Sequence, residues 1–109
     1  MGITKTKGFS TETTEMAEIL KAVGHPARIA ILKLLSNMMS CACGEIVELL
    51  PLAQSTVSRH LAELKKVDLI KGSSNGNTVS YSLNPETWKK VKNFIKLISK
   101  PDGRPFDCC

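Results

Sequence analysis

Cys41 and Cys43 are separated by a single alanine, and a run of short polar side chains, Gln54-Ser-Thr-Val-Ser-Arg-His60, follows shortly downstream. Cysteine thiolates are soft ligands that suit zinc, copper(I) and, by the same logic, trivalent arsenic or antimony. Two further thiols stand at Cys108 and Cys109. The polar run offers different chemistry. Gln54 can pair with adenine, Arg59 with guanine, and Ser58 with either a base or a phosphate, while Ser55 and Thr56 let a helix end come close to DNA. His60 has two readings, a phosphate contact or a ring packed beside the turn. A soft-ligand site directly ahead of a DNA-reading segment suggests a sensor whose ligand changes the grip on DNA.

Composition narrows the classes. A chain of 109 residues supports one domain, which at this size buries roughly 60 to 70% of its unfolded surface. Fifteen Lys and Arg against ten Asp and Glu give a net charge of +5 and a pI of about 9.2, which favours polyanionic partners. Four cysteines are too few for a secreted disulfide scaffold. Met1 to Thr14 lacks a basic-then-apolar leader and no run reaches the apolar length of a membrane span. A reducing cytoplasm is the expected compartment and no membrane partner is expected. C-x-x-C is absent and no acid, base or orienting histidine evidently accompanies the thiols, which argues against a thiol enzyme and an organic cofactor.

The elements that must position these groups are readable from periodicity. Residues 1–10 show no apolar pattern and read as a flexible basic arm. Met16, Ile19, Leu20 and Val23 recur as one helical face. Pro26 suits the first position of a second helix, whose Ile29, Ala30, Ile31, Leu32, Leu34 and Leu35 are apolar nearly all round and predict a central core helix. The pattern restarts at Ser40 for a short third helix that Pro51 stops. In the fourth, Val57, Leu61 and Leu64 point inward and the polar run faces out, so the third and fourth helices make a helix-turn-helix. Two alternating segments flank the hairpin signal Asn75-Gly76. Asn84 and Pro85 then start a last helix with Trp88, Val91, Ile95 and Ile98 on one stripe. The plan is mainly α with a small β-hairpin wing, a winged helix-turn-helix of order α-α-α-α-β-β-α over residues 11–100, followed by a flexible tail at 101–109.

Three segments carry a family resemblance: Gly24-His-Pro-Ala-Arg-Ile-Ala-Ile-Leu32, Gln54-Ser-Thr-Val-Ser-Arg-His-Leu61 and the Leu69-Ile70 entry to an Asn-Gly wing. The chain resembles the ArsR/SmtB family of metal-responsive repressors from about Glu15 to Trp88, and the cysteine pair resembles its arsenical-sensing branch. The resemblance implies a repressor of operator DNA, wing contacts through Lys71, Asn75 and Asn77, and a homodimer paired through its first and last helices. The apolar stripe of the last helix agrees, since it exceeds what a monomer of this size covers. Such a dimer reads an imperfect inverted repeat with recognition helices about 34 Å apart. Asp68 departs from the pattern, where glycine ends the recognition helix, but aspartate tolerates the left-handed conformation.

Residues at i and i+2 of a regular helix point to different sides, so chelation by Cys41 and Cys43 requires a distorted or non-helical start to the third helix. Nearness to a helix N-terminus is expected to lower their pKa. Arsenical sensors of the family commonly add a third thiolate, but Ile46 stands three residues after Cys43. Two thiols favour methylarsenite, or arsenite completed by an outside thiol or by Cys108 or Cys109. The expected inducer is As(III) or Sb(III). A redox or persulfide switch, and a Zn or Cd response using both cysteine pairs, stay open. The family's other zinc site needs Asp and His on the last helix, and residues 88–100 contain neither.

Overall fold

Ser10 Oγ accepts the Thr13 N–H at 3.1 Å and so caps α1 (Thr11–Val23) at the point where apolar periodicity begins. The computed structural model describes residues 8–99; most of the arm expected over 1–10, and the whole tail with Cys108 and Cys109, lie outside the described residues. His25 Nδ1 accepts from the Ala27 N–H at 3.1 Å and caps α2 (Pro26–Asn37), whose first residue is the anticipated proline. Then follow β1 (Cys41–Ala42), α3 (Cys43–Leu49), α4 (Gln54–Lys66), β2 (Ile70–Asn75), β3 (Thr78–Leu83) and α5 (Pro85–Ile98).

This is the expected winged helix with one element added. The third helix does not start at Ser40: Cys41 and Ala42 first pair with Tyr81 and Ser80 of β3, so the wing is a three-stranded antiparallel sheet of order β1-β3-β2. Two residues are too few to show an alternating pattern, which is why the strand was not legible. The hairpin turn also sits one residue later than expected. Asn75 pairs with Thr78, leaving Gly76 and Asn77 as the two-residue loop, and Gly76 at φ 70° supplies the positive angle that such a turn needs at its first position.

The core collects one face of each helix. Ile31, Ile46, Val57, Leu64 and Leu69 have no exposed surface, with Leu35, Leu61 and Ile70 nearly so. Side chains of this kind each contribute about 1.5–3 kcal/mol when fully buried. That matters most for α3, whose seven residues are too few to hold a helix alone; Ile46 anchors it to the core. The second helix is less central than its composition suggests, because Ile29 is 45% exposed. In α5, Asn84 Oδ1 caps the first turn, Val91 is buried, and Trp88 donates its indole N–H to the Leu69 carbonyl at 3.0 Å. The stripe therefore divides, with Val91 in the core, Trp88 partly buried against it, and Ile95 and Ile98 half exposed.

The recognition helix ends in a left-handed turn. Asp68 has φ 61°, its N–H donates to the Lys65 carbonyl at 2.9 Å, and the Leu69 N–H reaches back to Leu64 at 3.1 Å. These are the two bonds of a Schellman motif, in which glycine is the least strained residue. Asp68→Gly is expected to raise unfolding free energy by about 0.5–1 kcal/mol, the left-handed penalty outweighing the entropy that glycine adds to the unfolded chain. Urea denaturation of the two proteins measures this, and an unchanged or lower midpoint would refute it.

Candidate thiol site and nucleic-acid interface

The two cysteines straddle the join of β1 and α3, so the start of the third helix is non-helical at Cys41, the condition that chelation by an i, i+2 pair imposes. They differ in setting. Cys41 is 1% exposed and packed in the core, whereas Cys43 is half-buried at the first position of α3. Both are free thiols. Burial raises the Cys41 pKa, and the Glu45 carboxylate raises it further. This corrects the expected lowering by a helix N-terminus: Cys41 lies in the strand before the helix, where desolvation penalises the thiolate and the nearest charge is negative.

Glu45 was not singled out from sequence. Its Oε1 accepts the Ala42 N–H at 2.9 Å, fixing the peptide between the two cysteines. A glutamate at the third position of a helix commonly reaches back in this way, and that spacing was the available signal. Among the described residues no group of three His, Cys, Asp or Glu side chains is placed to hold a metal ion. Among the described residues the soft donors at this place are the Cys41 and Cys43 thiols.

Cys43 also touches α4. Its Sγ lies 3.8 Å from Ser58 Oγ on α4, within hydrogen-bond range for sulfur. Cys41 reaches the wing through the sheet, since Tyr81 pairs with Cys41 on one side and with Gly72 on the other. A Cβ at Gly72 would lie 3.3 Å from Val79 Cγ1 and 3.4 Å from Tyr81 Cε1, so a larger residue there would require those side chains to give by a few tenths of an ångström.

The candidate DNA residues divide by exposure. Gln54, Ser55, Ser58 and Arg59 are exposed on α4 and Thr56 is half-buried; Lys71, Asn75 and Asn77 are exposed on the wing. Ala53 stands at the N-cap and its side chain makes no capping bond, which leaves the first N–H groups of α4 to water or a phosphate. His60 follows the second of its two readings. It is 8% exposed, and its Nδ1 accepts from Arg28 Nε at 3.1 Å.

A groove of about 760 Å³ runs between α1 and α5, lined by Met16, Ala17, Leu20, Phe94 and Leu97 with Glu12 and Lys90 among its polar neighbours. Lys90 Nζ pairs with Glu15 Oε1 at 2.9 Å across the two helices. Leu97 is 68% exposed.

The family model described as bacterial regulatory protein, arsR family, matches residues 25–71. The chain is 40% identical over 85 residues to an HTH-type transcriptional regulator of Methanocaldococcus jannaschii, spanning 77% of this chain and 91% of that one. It is 34% identical over 88 residues to the arsenical resistance operon repressor of Staphylococcus xylosus, spanning 81% and 84% of the two chains. Among solved structures, HlyU of Vibrio cholerae aligns with a TM-score of 0.68 at 27% identity, over 83% of this chain and 97% of that one. HlyU is a transcriptional activator.

Proposed function

The chain belongs to the arsR family of bacterial regulatory proteins, and from that premise we propose that it is a homodimeric repressor of operator DNA, released when trivalent arsenic or antimony engages the thiolates of Cys41 and Cys43. The observation that carries this reading is the 3.8 Å contact between Cys43 Sγ and Ser58 Oγ, which joins the thiol site to the recognition helix without an intermediary. In the resting protein Cys41 is protonated and buried, and Cys43 faces Ser58. To serve as a ligand Cys41 loses its proton and gives up core packing against α3 and β3, and Cys43 gives up Ser58. The consequence is a changed spacing of α3, α4 and the wing. Couplings of this kind are typically about 1–3 kcal/mol, or roughly 5- to 150-fold in affinity.

Repression is favoured by the likeness to an arsenical resistance operon repressor, although an activator stands among the relatives. On DNA, Arg59 and Gln54 would read base edges, Ser55, Thr56 and Ser58 would fix the helix on the backbone, and Lys71, Asn75 and Asn77 would hold the flank. Met16, Leu20, Phe94 and Leu97 would form the dimer seam.

Fluorescence anisotropy tests the inducer, using a duplex selected by the protein from a random-sequence library and keeping the thiols reduced with a phosphine. Arsenite, methylarsenite and antimonite are expected to release the DNA, and Zn and Cd are not. Release only after oxidation or persulfide treatment would replace the arsenical reading with the redox one.

A further inference from the structure

Arg28 was noticed in the sequence only as part of a motif, yet its guanidinium joins three helices. It projects from α2, donates through Nε to His60 Nδ1 on α4 at 3.1 Å, and donates through Nη1 to the Ala22 carbonyl near the end of α1 at 3.1 Å. His60 is buried, and the His25 ring stands over it with centroids 4.5 Å apart and planes tilted by 53°. We propose that Arg28 and His60 form a latch between α2 and the recognition helix, holding that helix in its DNA-reading position only while the His60 imidazole is neutral. The latch rests on the DNA-binding reading given above and adds to it a pH dependence of a definite sign.

The geometry requires the neutral ring. Arg28 has only donors, so Nδ1 must present its lone pair; a proton there would set donor against donor and cation against cation. The surroundings favour the same state. The charged or titratable groups that act on His60 are all basic: His25 from the turn before α2, Arg28 from α2, and Arg59 from its own helix. Burial, first, and then these neighbours push its pKa below the ordinary histidine value. Ser58 and Cys43 meet on a different side of α4, roughly 200° round the helix from His60, so the latch and the thiol contact are separate holds on one element.

As pH falls through about 6.5 an unfolded chain gains a proton that folded His60 refuses, and stability held at higher pH is lost down to the lowered folded value. On operator DNA the sign is diagnostic. A histidine that touched phosphate would bind more tightly once protonated, whereas a latch that needs the neutral ring weakens binding in acid.

The test compares wild type, His60→Asn and Arg28→Lys. Asparagine offers an acceptor near the Nδ1 position and does not titrate, and His25 remains in both proteins, so their difference isolates His60. Lysine keeps the charge of Arg28 but not its two-pronged geometry. As the pH is lowered from 7.5 through the lowered folded value of His60, wild-type affinity for the selected duplex is expected to fall roughly 5-fold or more beyond the change in His60→Asn. Arg28→Lys is expected to bind more weakly already at pH 7.5. Parallel pH profiles for wild type and His60→Asn, or wild-type binding that tightens in acid, would overturn the latch. Absence of DNA binding at pH 7.5 would count against the DNA reading instead. The latch is then judged by urea midpoints over the same pH range, which are expected to fall more steeply in wild type than in His60→Asn and overturn it if they coincide.

Discussion

Cys43→Ser is expected to bind operator DNA within about 2- to 3-fold of wild type and to lose its response to arsenicals, so that a release of roughly 5- to 150-fold collapses to none. Serine keeps a hydroxyl that can face Ser58 across the 3.8 Å contact, which preserves the resting relation of α3 and α4. It does not supply a soft thiolate. Cys41 calls for a different substitution, because a hydroxyl at a position only 1% exposed would be buried without an assured partner, at a cost of about 1–3 kcal/mol. Cys41→Ala removes the ligand and keeps the site apolar. Anisotropy titrations of both variants with methylarsenite and arsenite read the effect directly; release that survives in either one would remove that thiol from the inducer site.

The same site carries a pH dependence. Each As–S bond forms as a thiol proton leaves with an arsenic-bound hydroxide as water, so capture releases no net proton, but the attacking species is the thiolate and the rate of capture rises with pH. Burial and the Glu45 carboxylate both raise the Cys41 pKa, which moves that rise toward higher pH than an ordinary thiol would show. Glu45→Gln can still accept the Ala42 N–H while losing its charge. The variant is therefore expected to capture arsenicals at lower pH than wild type, by the part of the shift that Glu45 contributes and not the larger part due to burial. Coincident curves of capture rate against pH would show that burial alone sets it.

Periodicity carried the long helices but not the junctions. Val57, Leu61 and Leu64 repeat at helical spacing within the 13-residue α4, and all three are buried as that spacing predicts. Asn84 and Pro85 marked the start of α5 because a cap and a fixed φ act locally. The thiol site depends instead on a strand of two residues whose partner, Tyr81, lies 40 positions away by subtraction of their numbers. No local pattern encodes that pairing. The reversed pKa of Cys41 follows from it, because the residue belongs to a buried strand rather than to the helix end. His60 illustrates the same limit, since only the fold brings Arg28 to its ring from 32 residues away.

Leu97→Glu is expected to give a monomer that folds normally and binds the operator about 10²- to 10⁴-fold more weakly. Folding should be spared because Leu97 is 68% exposed and contributes little to the monomer core. The groove it borders is apolar along Met16, Leu20, Phe94 and Leu97 and polar at its edge, the arrangement of a protein interface with a dry centre. Ile95 and Ile98, about half exposed on the same helix, extend the apolar surface beyond the groove. One protomer holds one recognition helix, while an inverted repeat presents two major-groove segments about 34 Å apart. The large factor comes from the linkage. Once one half-site is occupied the second binds at the effective concentration set by the dimer, and that gain disappears when the seam is broken. Sedimentation velocity and anisotropy on the same preparation test both halves of the claim. A variant that stays dimeric would move the seam away from α1 and α5, and a monomer that binds as tightly as wild type would mean that a single recognition helix and wing suffice for the site.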